Sequence, residues 1–203
     1  MIGGGFRNTV SYGFYASSFY NIDFFFNTIN HDAATTAEQY ASAYFTSCLS
    51  LDARNNVLSV SNATALGLPF YSTNSVTYSG FNYNNFYKAG TVTNLLYSLG
   101  GAQTANNFIG NGGYNINSLN RSVTFTSNTD LHSTDAACFN GTNISSVTTD
   151  FDGQTRGGTP DMGADENPAY SNDVAVDAIV TPVAPLTAGT QDVKIRIRNP
   201  GSN

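Results

Sequence analysis

The feature that most constrains this 203-residue chain is an internal period. Asn21-Ile22-Asp23-Phe24-Phe25-Phe26-Asn27-Thr28-Ile29 aligns with Ser50-Leu51-Asp52-Ala53-Arg54-Asn55-Asn56-Val57-Leu58, so Asp23 and Asn27 recur 29 positions later as Asp52 and Asn56. Phe81-Asn82-Tyr83-Asn84-Asn85-Phe86-Tyr87 places Asn85 one further period on, and Asn8-Thr9-Val10 reads as an earlier, shorter copy of Asn27-Thr28-Ile29. Similar aromatic segments, Gly13-Phe14-Tyr15-Ala16-Ser17 and Ala43-Tyr44-Phe45-Thr46-Ser47, precede two of the copies. A period in the twenties, rich in β formers and Asn, fits the stacked rungs of a parallel β-solenoid better than a sandwich. Rungs lie ~4.8 Å apart, so residues one period apart stack. Asn27, Asn56 and Asn85 are therefore expected to form a structural amide ladder along the axis, at a corner where Asn tolerates the left-handed conformation.

Composition agrees with a folded β protein. Hydrophobic residues make up 40% and aromatics 13%, enough apolar surface to argue against disorder. Charged residues are only 11% and the net charge is −6, which excludes a nucleic-acid binder that needs a basic face to displace counterions. The longest apolar runs, such as Phe24-Phe25-Phe26, are far short of the ~20 residues of a membrane-spanning helix. Thr36 to Phe45 is the best helical candidate, and the remainder reads as nearly all β. Gly101 to Asn120 lacks a strand copy and reads as a loop-bearing, irregular coil. Cys48 and Cys138 form no disulfide framework and no metal-ligand spacing; two buried free thiols are expected, with a Cys48–Cys138 pair as the alternative.

The rungs resemble right-handed parallel β-helix proteins of the pectate-lyase-like superfamily. The segment Thr149-Asp150-Phe151-Asp152-Gly153-Gln154-Thr155-Arg156, followed by Pro160-Asp161-Met162-Gly163-Ala164-Asp165-Glu166, is similar to the terminal coil of secreted bacterial β-helix proteins, notably large surface proteins of the Bacteroidota. Asp130-Leu131-His132 and Asp135-Ala136-Ala137 look like the last rungs of that family. The resemblance covers residues 1–168. It implies an all-β, right-handed parallel β-helix and a secreted or cell-surface location, although Met1-Ile2-Gly3-Gly4-Gly5 carries no signal peptide.

Residues 169–203 differ in composition. Asp173 to Val180 alternates apolar and polar positions, Pro182 and Pro185 interrupt, and Gln191 to Arg198 alternates again with Val193, Ile195 and Ile197 on one face. This looks like a linker and the first strands of an Ig-like adhesion module, incomplete because a sandwich needs about seven strands. The chain is accordingly expected to be a fragment of a larger protein, with further domains of the same polypeptide as partners.

Candidate chemistry is sparse. Asp23 and Asp52 should stack, with Arg54 beside them; paired carboxylates can hold Ca²⁺ or exchange protons with a sugar, but a solvated charge cluster offset by Arg54 explains them too. Asp150, Asp152, Asp161, Asp165 and Glu166 form an acid-rich stretch that starts like a calcium loop, yet the third oxygen ligand and the glutamate at the twelfth position are missing. The simpler reading is structural: Gly153, Gly157 and Gly158 supply the unusual backbone angles of a terminal turn, Gly163 belongs to the same structural motif, and Arg156 pairs with one of the acids. No cofactor or metal is expected, with calcium on the acid-rich stretch as the alternative reading. His31 sits in a turn and His132 within the terminal motif; neither accompanies a G-x-S-x-G elbow. The Asn62, Asn140 and Asn143 sequons are chance matches in so Asn/Ser/Thr-rich a chain. Tyr12, Tyr15, Tyr20, Tyr78, Tyr83 and Tyr87 would either stack on sugar rings from an exposed strip or, as a small solenoid core favours, fill the coil interior.

No residue is assigned to catalysis. The expected function is a non-catalytic structural or binding segment of a large secreted or cell-surface bacterial protein, serving adhesion or binding a polysaccharide or surface glycan. The alternative is a polysaccharide lyase or glycoside hydrolase with most of its active site upstream, for which Asp23, Asp52 and Arg54 are the residues to test. A purely architectural spacer is the third reading. A solenoid starting mid-pattern leaves an open rung edge, so the chain should associate end to end as its concentration rises; a sedimentation profile that stays monomeric at high concentration would oppose this.

Overall fold

The computed structural model describes residues 1–8, 10–133, 135, 140–166, 175–181, 189–190 and 192–198. The chain forms two compact units, 1–167 and 168–203. The first is a β-solenoid of about three turns.

Each turn lays one strand on each of three parallel sheets. The first turn comprises β2 (Phe14–Ser17), β3 (Tyr20–Phe25) and β4 (Thr28–His31). The second comprises β5 (Ala43–Thr46), β6 (Leu49–Arg54) and β7 (Val57–Val60), and the third β8 (Phe70–Ser72), β9 (Tyr78–Asn82) and β10 (Asn85–Lys88). A short β1 (Ile2–Gly3) flanks β4, β11 (Leu96–Ser98) extends the β2-β5-β8 sheet, and β12 (Gly101–Gln103) closes that edge antiparallel. The expected helix over Thr36 to Phe45 is absent: turns lead directly into β5, because Phe45 belongs to the rung core and a strand buries it there. The copy preceding Asn27-Thr28-Ile29 is also not Asn8-Thr9-Val10. Ile2 and Gly3 pair with Ile29 and Asn30, while the Asn8 side chain accepts the Ala34 N–H.

The first two turns keep the sequence period, pairing Phe14 with Ala43, Asp23 with Asp52 and Thr28 with Val57. The third is shorter. A register irregularity after Leu51 sets Gly80, not Phe81, opposite Asp52, and Val57 then faces Asn85. The residue under Asn56 is therefore Asn84, which corrects the expected ladder. Asn56 Oδ1 accepts the Asn27 backbone N–H (2.9 Å) and Nδ2 (3.0 Å). Asn84 Oδ1 likewise accepts the Asn56 N–H (3.0 Å) and Nδ2 (2.8 Å). Ser118 Oγ ends the row by accepting the Asn84 N–H at 3.0 Å. Each ladder residue follows one in the left-handed region: Phe26 (φ 53°), Asn55 (φ 59°) and Tyr83 (φ 53°). That conformation costs roughly 1–2 kcal/mol for a residue with a Cβ, and the amide bonds tie down the chain where it is spent. Asn85, one residue on, faces outward and exchanges two hydrogen bonds with the Arg121 backbone, each 2.9 Å.

Alternating side chains fill the coil. On the β2-β5-β8 sheet, Phe14, Ala43 and Phe70 stack in one inner row and Ala16, Phe45 and Ser72 in the next, so each rung offers one large and one small residue, and the rings interleave. Phe24, Phe81, Phe86, Leu51, Leu58 and Ile29 complete the core. Residues 104–119 close the far end, where Phe108 packs edge-on against Phe86 and Tyr114 against Tyr78.

Ala136 and Ala137 lie outside the described residues, and the described residues of 120–166, Asp130-Leu131-His132 among them, do not form last rungs. Among the described residues they hold only isolated bridges, and they cover the outer face of the β1-β4-β7-β10 sheet. Asn55 exchanges side-chain bonds with the Thr142 backbone (2.7 and 2.9 Å) and accepts the Gly163 N–H (2.7 Å), while Thr28 Oγ1 accepts the Ala164 N–H (2.8 Å). Met162 packs on Val57, flanked by Leu119, Val123 and Phe125. With the coil on one side and this cover on the other, β4 and β7 are buried along their whole length.

The second unit pairs β13 (Ala175–Thr181) antiparallel with β14 (Lys194–Arg198), with Ile179 opposite Ile195. Val193, Ile195 and Ile197 are exposed.

Asn84→Ala strands the Asn56 N–H and the Ala53 carbonyl in the core, at roughly 1–3 kcal/mol for each buried group, and is expected to lower the urea midpoint of the whole solenoid. Asn85→Ala releases only the Arg121 backbone and should speed amide exchange around residues 120–125 while β6 to β10 stay protected. The reverse ranking would contradict the corrected ladder.

Candidate functional site

Among the described residues, three places gather candidate functional side chains. The first is the predicted carboxylate pair. Asp23 and Asp52 do lie in register on neighbouring strands, but Arg54 closes on Asp52 in bidentate fashion, Nε to Oδ1 and a terminal nitrogen to Oδ2, both at 2.7 Å. The guanidinium also lies 5.2 Å from the Phe25 ring centre. Both Asp52 oxygens are thus engaged by a permanent cation, and Asp23 stands without a matching carboxylate free for proton transfer.

The second is the outward face of the β2-β5-β8-β11 sheet. Because strand side chains alternate and the register is strict there, Tyr15, Tyr44, Tyr71 and Tyr97 fall in one row. Neighbouring rings stack with centroids 5.2, 5.4 and 4.6 Å apart and planes within 3°, 7° and 13° of parallel. Tyr12 leans on both Tyr15 and Tyr44 at 5.2 Å and meets Tyr40 edge-on. Partial burial and the neighbouring phenols push the Tyr12, Tyr44 and Tyr71 hydroxyls above their ordinary range. Of the tyrosines singled out from sequence, only Tyr15 and Tyr12 belong to this face. Tyr78 lies inside the coil, where burial raises its hydroxyl strongly, Tyr20 is exposed on β3, and Tyr83 and Tyr87 are half-buried on the cover side. Tyr44 lies in the repeated aromatic segment Ala43-Tyr44-Phe45-Thr46-Ser47, whereas Tyr71 and Tyr97 are not visible from the repeat because the period shortens before each of them.

The third lies in the cover, where the acid-rich motif is divided between two tasks. Asp150 caps its own turn, Oδ1 accepting the Asp152 (3.0 Å) and Gln154 (2.7 Å) N–H groups and Oδ2 the Glu166 N–H (2.9 Å), with Gly153 left-handed at φ 83°. Arg156 is buried, 3.9 Å from the Phe26 ring centre, bonded to Glu166 and to the carbonyls of Asp161 (3.3 Å) and Gly163 (3.0 Å). Gly163 has φ 99°, and a Cβ there would meet Thr28 Oγ1 at 2.7 Å, so only glycine allows this close approach to the sheet. These residues clasp the cover. Asp152 and Asp165 instead turn toward His132. The imidazole Nδ1 bonds to Asp130 and Nε2 to Asp152 Oδ2 at 2.8 Å, and these two carboxylates raise its pKa to about 9. Asp165, half-buried, is pushed up by burial. One ligand-type atom from each of His132, Asp152 and Asp165 lies within 4.8 Å of the others. Sequence spacing could not bring these three together; only the return of the cover on itself does.

His31 makes no catalytic dyad. Ser11 Oγ lies 2.8 Å from Nε2 but gives its only proton to the Arg7 carbonyl at 3.0 Å. Nε2–H therefore donates to Ser11, and the buried Nδ1 lone pair is left without a partner. The ring stacks on Phe6 with centroids 4.3 Å apart. Cys48 is a buried free thiol; Cys138 lies outside the described residues.

Burial, against the weaker pull of Asp32 and Ser11, holds His31 below its ordinary pKa. The unfolded chain therefore takes up this proton first, and the ring's contribution to stability falls as pH drops through the unfolded value of about 6.5. The difference in unfolding free energy between the native chain and His31→Phe is expected to shift against the native chain between pH 7.5 and 5; a pH-independent difference in urea titrations would contradict it. Comparison of the chain with known protein families, curated proteins and solved structures finds no match.

Proposed function

We propose that this chain is a non-catalytic binding rod whose tyrosine face holds an extended glycan, as part of a larger secreted or cell-surface bacterial protein of the right-handed β-helix type. The carrying observation is the in-register row Tyr15-Tyr44-Tyr71-Tyr97. A linear polysaccharide presents hydroxyl groups and apolar C–H faces at regular intervals. The row offers phenol edges once per rung, and the tilted Tyr12 ring adds apolar surface beside it. Tyrosine supplies large contact area with only two side-chain torsions to freeze, and here stacking has already fixed the rings, which lowers the ordering penalty on binding. Glu38 and Asn94, joined at 2.6 Å, lie near Tyr71 as polar rim groups.

The lyase or hydrolase alternative loses its local support because Arg54 occupies both oxygens of Asp52. The secreted location and the parent family rest on the Asp150–Glu166 motif, with Arg156 and Glu166 paired as a structural clasp. An Ig-like module beginning at residue 169 rests on the alternating strands that form the β13-β14 hairpin.

A glycan-array screen of the purified chain, with and without chelator and with reducing-end release followed on every hit, tests the reading. Binding without release is expected. Tyr44→Ala and Tyr71→Ala should each weaken it about tenfold, or ~1.4 kcal/mol, whereas Asp23→Asn with Asp52→Asn should leave it unchanged. Product release sensitive to the aspartate substitutions would overturn the reading, as would binding indifferent to the tyrosines.

A further inference from the structure

We propose that His132, Asp152 and Asp165 form a site for one divalent transition-metal ion of the zinc class, with Asp130 orienting the imidazole. The site does not depend on the glycan-binding reading.

The argument begins with the ring. Its Nδ1 is held by Asp130, the arrangement by which a carboxylate fixes the tautomer of a metal-ligating histidine and raises its basicity. Nε2 points away from Asp130, and its N–H donates to Asp152 Oδ2 at 2.8 Å; a bound ion takes the place of that proton between the two atoms, and the proton is released to solvent. The Asp165 carboxylate completes a triangle of donors, all within 4.8 Å of one another. With metal bonds of ~2.0–2.2 Å, donors on one zinc ion stand roughly 3.3 Å apart, close to the spacing of these three atoms.

Charge points the same way. Three carboxylates, those of Asp130, Asp152 and Asp165, surround a single imidazole, and Asp150 adds a fourth negative charge nearby. Arg156, the basic side chain of the motif, is occupied by Glu166. Asp165 is half-buried on the wall of the cavity between the cover and the sheet, and among the described residues it accepts a long hydrogen bond from the Ser133 N–H, at 3.4 Å. A half-buried carboxylate so weakly satisfied is stabilised by a cation.

The donor set selects the ion. Calcium takes six to eight oxygens at ~2.3–2.6 Å, and an imidazole nitrogen with two carboxylates does not supply them. One nitrogen and two oxygens suit zinc, manganese or cobalt. Three protein ligands leave a coordination position open, as in sites that bind a water or a ligand oxygen, and His132 and Asp152, 38% and 40% exposed at the side chain, leave that position facing solvent. The ion would also tie three separated segments of the cover together.

The test uses the full chain stripped with chelator and titrated with Zn²⁺, Mn²⁺ or Ca²⁺ in a calorimeter, with thermal unfolding followed in parallel. One Zn²⁺ per chain is expected, raising the unfolding temperature, with Ca²⁺ much weaker. Asp165→Asn, which preserves volume, should abolish saturable Zn²⁺ binding, as should His132→Ala. Asp130→Asn should weaken it roughly ten- to hundredfold while leaving the stoichiometry at one. Cobalt should give visible absorption bands in the native chain and lose them in His132→Ala. Unchanged far-ultraviolet circular dichroism in each variant separates ligand loss from unfolding. No saturable zinc binding, zinc binding unaffected by His132→Ala or Asp165→Asn, or calcium binding stronger than zinc binding would overturn the proposal.

Discussion

The amide ladder Asn27-Asn56-Asn84-Ser118 is the interaction on which the rest of the molecule depends. A solenoid rung must turn sharply between sheets, and here it does so through Phe26, Asn55 and Tyr83, each left-handed. A phenylalanine or tyrosine in that region is strained by roughly 1–2 kcal/mol. The following side chain offsets the strain twice. Its Nδ2 bonds back across the corner, as Asn27 does to the Phe25 carbonyl and Asn56 to the Arg54 carbonyl, while its Oδ1 receives the N–H and the amide of the rung before. Local turn and axial stacking are thus the same set of hydrogen bonds, and a slip of register would break both.

Strict register has consequences on both faces of the wall. Inside, it sets large residues beside small ones so that phenylalanine rings interleave. Outside, it aligns four tyrosines into the proposed binding face. Side chains of the β1-β4-β7-β10 sheet meet neither the core nor water on their outer side. They meet the return segment 120–166, whose Gly163 and Thr142 bond directly to Asn55 at a ladder corner. The cover's folding therefore rests on the ladder too, and the cluster around His132 exists only because the cover is pinned at both ends of its path.

Much of this was legible in the chain. The period, the solenoid class, the stacking of Asp23 on Asp52 and the pairing of Arg156 with a motif acid follow from spacing and residue chemistry. The misses have particular causes. The period points to Asn85 as the third ladder residue because a fixed repeat cannot anticipate a rung shortened by one residue, and the Asn84-Asn85 doublet conceals the slip. Thr36 to Phe45 has apolar spacing suited to a helix, but Phe45 is claimed by the rung core. The terminal motif was read as a coil because a β-rich, turn-rich stretch looks alike whether it stacks on the end of a solenoid or along its side.

Residue types and their spacing determined by themselves that this chain coils, and where asparagine, glycine and arginine must act, because those demands are local or repeat along the chain. Only the tertiary structure decided which tyrosines share a face, that Arg54 neutralises Asp52, and that His132, Asp152 and Asp165 converge. Those relations join positions whose separation in sequence follows no period. Their proximity is set by how a shortened rung and a folded-back cover pack against a common wall.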